Sequence, residues 1–120
     1  MSGFKEALAA IAQRVPETRL LMIMGTDGIP IEKLVVEPDP NLEMVTAEYT
    51  TLLRSTLVTA RDTGVGELRE LAVVTENMTA LLESITSEYY FFACLAPGAI
   101  LGRARFALRV AGASLEREFV

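Results

Sequence analysis

Hydrophobic residues along this chain recur either every three to four positions or in uninterrupted runs. The first pattern opens the sequence, where one helical stripe is formed by Phe4, Leu8, Ile11 and Val15. The stripe predicts an amphipathic helix that begins near Ser2 and is ended by Pro16. The second pattern follows in Arg19 to Met24, an apolar run typical of a central strand with both faces covered.

A hairpin and a long helix come next. Asp27 and Gly28 predict a tight turn, because Asp-Gly between apolar runs favours chain reversal, and Ile29 to Val36 is the predicted return strand. After a proline-rich segment, a helix is predicted from about Asn41 to Thr63. At about 100° per residue, its expected core face consists of Leu42, Val45, Tyr49, Leu52, Leu53, Leu57 and Ala60.

The far side of this helix carries a second, narrower seam instead of a purely charged surface. Met44, Thr51 and Val58 lie one heptad apart, with Ala47 and Arg54 beside them. Such a seam suits packing against another helix. The competing interpretation is that Met44 and Val58 are isolated exposed apolar residues of the kind found on any protein surface.

Three strands and a helix complete the chain. The strands are predicted at Glu67 to Thr75, Thr79 to Ile85 and Tyr89 to Ala96, as an antiparallel meander. The first mixes charges into its opening, as an edge strand does, whereas the third is continuously apolar and is expected inside the sheet. The final helix has the clearest amphipathic stripe: Leu101, Ala104, Leu108, Ala111, Leu115 and Phe119.

The resulting element order is α-β-β-α-β-β-β-α. Two strands that are covered on both faces require helices on both sides of the sheet. We therefore predict an α+β fold, a three-layer α/β/α sandwich with the middle helix on one face and the terminal helices on the other. A chain of 120 residues fits one domain, residues 1–120, because two separate cores of this size would each be marginal.

Composition removes several classes of function. A formal net charge of −5 disfavours binding to nucleic acid, because a generic phosphate-backbone binder is basic. The chain has no His and one Cys, Cys94, so it offers neither a Cys/His zinc cluster nor a Ser–His or Cys–His catalytic pair. The longest uncharged stretch, Tyr89 to Gly102, is too short for the ~20 apolar residues of a membrane span. We expect a soluble cytoplasmic protein without cofactor or metal.

A mean hydropathy of +0.34 is high for so short a chain, which predicts apolar surface that faces a partner. Candidate chemical residues have simpler structural explanations. Cys94 lies in the most apolar strand and is expected to be buried, and Gly64 to Gly66 lacks the Lys of a phosphate loop and is expected to stop a helix. Dispersed carboxylates need no catalytic explanation in so acidic a chain: Glu67, Glu70, Glu76, Glu83 and Glu88.

Two aromatic features leave alternatives open. Tyr89 to Phe92 could form a stacking platform for a ligand, but a strand buried on both faces explains these residues as core. Phe106 projects away from the main stripe of the last helix. It is either packed under a loop, which we favour, or an exposed anchor for a partner.

Several of these features together resemble the roadblock/dynein light chain family over nearly the whole chain. They are the order of elements, the Asp27-Gly28 turn after an apolar strand, and the closing pattern Leu101-Gly102-Arg103 followed by Leu108, Ala111 and Leu115. The resemblance implies a five-stranded antiparallel sheet and a homodimer, in which the middle helices pack together and the strand after that helix pairs with its twin. The implied dimer interface consists of Met44, Ala47, Thr51, Arg54, Val58, Leu68, Leu71 and Val73.

The resemblance also implies a function. Free-standing bacterial and archaeal members of the family are regulators or scaffolds of Ras-like small GTPases, some of them GTPase activators. We therefore expect a non-catalytic homodimer that binds a Ras-like small GTPase. No arginine finger is assigned, because each candidate is typical of a solvated charge: Arg54, Arg61, Arg69, Arg103, Arg105, Arg109 and Arg117. The alternatives are a small-ligand sensor with a pocket between sheet and terminal helices, or a dimeric platform in a larger assembly.

Overall fold

Five strands form one antiparallel sheet with helices on both faces. A computed structural model describes residues 2–119, with the element order α-β-β-α-β-β-β-α. The elements are α1 Ser2–Arg14, β1 Thr18–Gly25, β2 Pro30–Val35, α2 Asn41–Asp62, β3 Glu70–Val74, β4 Thr79–Ser84, β5 Tyr89–Leu95, α3 Leu101–Leu115 and a short 3-10 helix Glu116–Phe119. The strand order along the sheet is β2-β1-β5-β4-β3. The predicted fold class and element order are confirmed.

The two continuously apolar strands lie side by side at the centre of the sheet. β1 and β5 pair antiparallel, with Leu21 opposite Ala93 and Ile23 opposite Phe91. Nearly every side chain of both strands is buried, as expected for strands covered on two faces. β3 lies at one edge, as its charged opening predicts, and β2 lies at the other.

Two hydrophobic clusters occupy the two faces of the sheet. On one face, α1 and α3 pack on alternate residues of β1, β4 and β5; the main members are Phe4, Leu8, Ile11, Leu21, Ile23, Leu81, Phe91, Leu108 and Leu115. On the other face, α2 packs on the residues between them; the main members are Leu20, Met22, Leu42, Leu53, Leu57, Leu82, Tyr90 and Phe92. The three-layer arrangement with α2 alone on one side is thus confirmed.

Fewer residues of α2 are buried against the sheet than its sequence predicts. Leu42, Leu53 and Leu57 are its buried residues. Leu52, predicted as core, is 40% exposed, so that prediction is wrong. Since Leu52 is rotated by about 100° from Leu53, a helix that centres Leu53 over the sheet turns Leu52 out to its flank.

Two element boundaries differ from their predictions by more than one residue. The strand expected from Glu67 begins at Glu70. Gly66 before it has a φ of +103°, outside the extended region that a strand requires, and Glu67 forms an ion pair with Arg61 of α2. The last helix ends at Leu115 instead of continuing to Phe119. The Phe119 ring lies in the following 3-10 turn and stacks on Tyr89, with ring centroids 4.1 Å apart.

Two further predictions concern the turn at Asp27-Gly28 and the side chain of Phe106. The hairpin at Asp27-Gly28 is confirmed: Gly28 has a φ of +88°, and the Asp27 carboxylate accepts a hydrogen bond from the backbone N–H of Ile29 at 2.9 Å. Phe106 is 61% exposed, so the interpretation that packs it under a loop is wrong.

The helix α3 offers a matched test of this packing. Leu108→Ala should lower the free energy of unfolding by about 2–5 kcal/mol, because it opens a cavity in the core, whereas Phe106→Ala should change it by less than about 0.5 kcal/mol. Urea unfolding at one fixed protein concentration measures both. Equal losses in the two variants would contradict the described orientation of α3.

Candidate functional site

The outer face of α2 presents the predicted seam to solvent. Met44 is 61% exposed and Val58 is 56% exposed, and Ala47, Thr51 and Arg54 between them are exposed as well. These residues lie on the side of the helix turned away from the sheet. A run of exposed apolar and small side chains on one helix face provides a surface for a partner helix.

Leu52 adds an apolar residue to this surface that the sequence reasoning missed. On one flank of α2, Glu43 and Thr46 line a cavity with β1 and β2, so this flank faces the β2 edge. Val45 and Leu52 lie one heptad apart on the opposite flank, which is directed towards β4 and β3. In the sequence, Leu52 lies at the margin of the predicted apolar arc, and this position is the one signal that indicated its exposure.

The strand β3 forms the adjoining edge of the sheet. It pairs with β4, and within residues 2–119 no strand pairs with its other side. Leu71 and Val73 turn towards α2 and pack, half-buried, against the core cluster on that face. Leu68 precedes the strand, and its carbonyl accepts a hydrogen bond from the Tyr90 hydroxyl. Thr75 N–H donates to the Met78 carbonyl and Ser84 N–H to the Arg69 carbonyl, so residues 71 and 73 direct their backbone groups to β4 and residues 70, 72 and 74 direct theirs to the open edge. Leu68, Leu71 and Val73 therefore contribute side chains beside this edge and not its free backbone groups.

A charged cluster ties β3 to α3 on the opposite face of the sheet. Glu70 of β3 and Glu83 of β4 are directly opposite each other in the sheet register. Arg105 Nε donates to Glu70 Oε1 at 2.7 Å, and Arg109 Nε donates to Glu83 Oε1 at 3.0 Å. Because the two arginines lie one turn apart on α3, the helix clamps two neighbouring strands through one pair of contacts.

The two carboxyl groups of this cluster titrate differently. The pKa of Glu83 is raised to about 7, chiefly because burial disfavours its charged form; the adjacent Glu70 carboxylate acts in the same direction, and the hydrogen bond and charge of Arg109 act in the opposite one. Partial burial also disfavours the charged form of Glu70, but hydrogen bonds from Arg105 and Glu83 hold its pKa below the usual range. Near neutral pH, protonated Glu83 can therefore donate a hydrogen bond to ionised Glu70.

The sequence offered no signal for this cluster, because Glu70 and Glu83 meet only through the strand register. Within residues 2–119, the ion pairs of the structure also divide the candidate arginines into paired and unpaired ones. Arg105 and Arg109 are paired with these carboxylates, and Arg61 Nη2 lies 2.9 Å from Glu67 Oε2. The remaining candidates are exposed side chains on α2, α3, the segment before β3 or the 3-10 helix: Arg54, Arg103, Arg69 and Arg117.

Other chemical candidates have structural roles. Cys94 is buried, and burial raises the pKa of its thiol to about 12, which confirms an inert packed cysteine. Gly64 and Gly66 both have positive φ and end α2, as predicted. Among residues 2–119, no group of three or more His, Cys, Asp and Glu side chains is placed to hold a metal ion.

The ligand-sensor alternative expects a pocket between the sheet and the terminal helices. That layer is filled by the cluster around Leu8, Phe91 and Leu108. A groove of about 430 Å³ between α1 and α3 opens on the outer surface, and a larger cavity of about 580 Å³ lies on the opposite face beside α2.

In the described part of the chain, none of the helices is both long enough and apolar enough to cross a membrane.

Solved bacterial structures share this fold. The gliding protein MglB from Thermus thermophilus superposes with a TM-score of 0.82 at 16% identity, over 97% of this chain and 87% of that one. MglC from Myxococcus xanthus gives a TM-score of 0.69 at 22% identity, over 97% and 98% of the two chains. A Roadblock/LC7 domain from Streptomyces avermitilis gives 0.73 at 16% identity, over 92% of each chain.

No protein-family profile matches the sequence, and no curated protein matches it at a significant level. The structural likeness extends over almost the whole chain, but at identities that carry the fold alone. It shows that this chain has a roadblock-domain fold, which confirms the fold expected from the sequence resemblance.

The Glu70–Glu83 pair predicts an unusual dependence of stability on pH. Because folding raises the pKa of Glu83 from its ordinary 4.5 to about 7, the stability linked to its proton is full below pH 4.5 and lost as pH rises through 7. The loss is at most roughly 3 kcal/mol. Glu83→Gln, which keeps a donor to Glu70, should flatten the dependence between pH 5 and 8, as measured by urea unfolding.

The exposed turn variant Glu76→Gln is the matched control and should keep the wild-type profile. A Glu83→Gln protein that still loses stability between pH 5 and 8 as the wild type does would show that another group is responsible.

Proposed function

We propose that this chain, through its roadblock-domain fold, forms a homodimer that acts as a non-catalytic cytoplasmic regulator or scaffold of a Ras-like small GTPase. The observation that carries the proposal is the exposed apolar seam of α2 beside the unpaired edge of β3. An exposed apolar helix face next to an open strand edge is a liability in a monomer, and a second copy covers both at once.

A two-fold axis fits the seam. In an antiparallel pair of α2 helices centred on Thr51, Met44 would contact Val58 of the partner subunit. Antiparallel pairing of two β3 strands centred on Ala72 would place Glu70 opposite Val74 of the partner subunit, so the carboxylates would not face each other. The proposed interface residues are Met44, Ala47, Thr51, Arg54, Val58, Leu68, Leu71 and Val73, to which the exposed Leu52 is added.

The GTPase is the partner that the family resemblance implies. The MglB, MglC and Roadblock/LC7 structures similar to this chain come from bacterial proteins, which favours the expectation for free-standing members over that for light chains in motor complexes. A regulator of this kind acts by binding one nucleotide state of the GTPase more tightly than the other, and it needs no cofactor of its own. Three of the candidate arginines, Arg61, Arg105 and Arg109, are held in ion pairs with glutamates, which disfavours them as arginine fingers.

Light scattering tests the dimer. The wild type at micromolar concentration should have a mass near twice 13.1 kDa, and Val58→Asp should reduce it towards one chain, because a buried carboxylate disrupts an apolar helix contact. Val110→Asp makes the same change at an exposed site on α3, across the sheet, and should remain dimeric. A monomeric wild type would contradict the dimer, and a dimeric Val58→Asp would contradict its seam.

Binding to a GTPase is a separate test. Purified Ras-like GTPases of the source organism, loaded with GDP or a non-hydrolysable GTP analogue, should bind the wild type with at least about a fivefold difference in Kd between the two states. Isothermal titration calorimetry measures both affinities, and a hydrolysis assay shows whether binding also changes the rate. Equal affinity for both states would leave a scaffold and contradict a regulator. Absence of binding would contradict the proposed partner.

A further inference from the structure

The edge opposite β3 carries a groove that the proposed dimer leaves open. A cavity of about 580 Å³ lies between β1, β2 and the first turns of α2. Leu20 and Met22 of β1 form its floor, and Val35 of β2 and Leu42 of α2 stand at its sides. The remaining lining residues are Lys33, Pro38, Asp39, Pro40, Glu43 and Thr46. Most of the surface that this cavity offers is therefore apolar, and it is open to solvent along β2.

The strand β2 presents outward-facing backbone groups along the same groove, and the Lys33 N–H among them donates only to the exposed carboxylate of the adjacent Glu32, at 3.2 Å. It pairs with β1, and no other strand of residues 2–119 pairs with its outer side. The backbone N–H of Val36 donates to the carbonyl of Arg19 at 2.9 Å, so residue 36 points its backbone groups inward. Since these directions alternate along an antiparallel strand, Lys33 and Val35 point theirs outward.

Lys33 and Val35 contribute both their side chains and their outward backbone groups to this site. Lys33 and Val35 both line the cavity while their backbone groups point to the open edge. A strand added to this edge would therefore hydrogen-bond to Lys33 and Val35, and every second one of its side chains would enter the groove. Backbone pairing with pockets for alternate side chains is the geometry of strand addition.

Exposed apolar residues are concentrated along this edge. Of the large hydrophobic residues that the structure leaves exposed, four lie within eight positions: Ile29, Ile31, Val35 and Val36. Pro30 begins the strand and Pro38 follows it, so the free edge is short and bounded at both ends. Short edges bounded by prolines do not pair indiscriminately with other sheets, which favours a specific occupant.

Charge at the rim indicates the chemistry of that occupant. Glu37, Asp39 and Glu43 gather where β2 ends and α2 begins. Among residues 2–119, only Glu37 of the three has an ion-pair partner, Arg19 at 3.9 Å, and the Asp39 carboxylate accepts a hydrogen bond from the backbone N–H of Asn41. A second copy of this chain, with a net charge of −5 and the same acidic rim, would be repelled there, and its own Lys33 and Val35 are poor fillers for the groove. A segment with large apolar side chains and a basic end matches both the groove and the rim.

We propose that the β2 edge and its groove bind an extended segment of another protein, one that alternates large apolar residues with polar ones and carries Lys or Arg beside Asp39 and Glu43. The site is independent of the proposed dimer, because β2 and β3 are opposite edges of the sheet.

Fluorescence anisotropy with labelled peptides tests the site. The probes are eight-residue peptides in which Leu, Ile, Val or Phe occupies every second position, Thr or Ser occupies the others, and Lys-Lys ends the chain. At least one should bind the wild-type protein, whereas peptides of the same composition without the alternation should bind at least about tenfold more weakly. Failure of every alternating peptide, or equal binding of the non-alternating ones, would overturn the proposal.

Two proline variants distinguish this edge from the other. Val35→Pro removes one outward N–H from β2 and should weaken peptide binding about five- to tenfold, the effect of one lost hydrogen bond. Val74→Pro makes the matched change on β3, whose outward N–H groups alternate with the inward one of Thr75, and should leave peptide binding unchanged while weakening the dimer. Equal peptide affinity in both variants would overturn the proposal without affecting the dimer.

The acidic rim has its own test. Glu43→Lys should reverse the preference between peptides that end in Lys-Lys and peptides that end in Glu-Glu, with circular dichroism showing that the fold is kept. An unchanged preference would show that the rim does not select the partner.

Discussion

The antiparallel pairing of β1 with β5 is the contact on which the rest of the structure depends. These two strands join the N-terminal hairpin to the C-terminal meander, and their side chains supply much of both hydrophobic clusters. Because both faces of the pair are apolar, helices must cover each side. This requirement places α1 and α3 on one face and α2 on the other, and it leaves β2 and β3 as the two outer strands.

The two edge strands differ in the surface that adjoins their unpaired side. β3 lies beside the exposed apolar seam of α2, where the homodimer contact is proposed. β2 is short, begins at Pro30, and carries Lys33 next to an apolar groove with an acidic rim, which suits an unlike partner. The two proposed contacts therefore differ in chemistry, with a second copy at the β3 edge and a different protein at the β2 edge.

The cluster of Glu70, Glu83, Arg105 and Arg109 connects these surfaces to α3. It holds the β3 edge strand against a helix on the opposite face from α2, through contacts of 2.7 and 3.0 Å. Glu83 has a pKa of about 7, so its charge changes near neutral pH. Glu83 lies on β4, next to β3, the strand whose outer edge is proposed to form the dimer. Removal of one partner from such a buried group leaves an unpaired charge, so the cluster is expected to act as a unit.

The sequence by itself determined the element order, the three layers and the central position of the two apolar strands, because hydrophobic periodicity and uninterrupted apolar runs are local properties of the chain. It also indicated the exposed seam at Met44, Thr51 and Val58 from heptad spacing. Only the tertiary structure decided that Leu52 is exposed, that Glu70 meets Glu83 and that Lys33 faces a groove. These features depend on the rotation of a helix over the sheet and on the strand register, and both are set by contacts between segments distant in sequence.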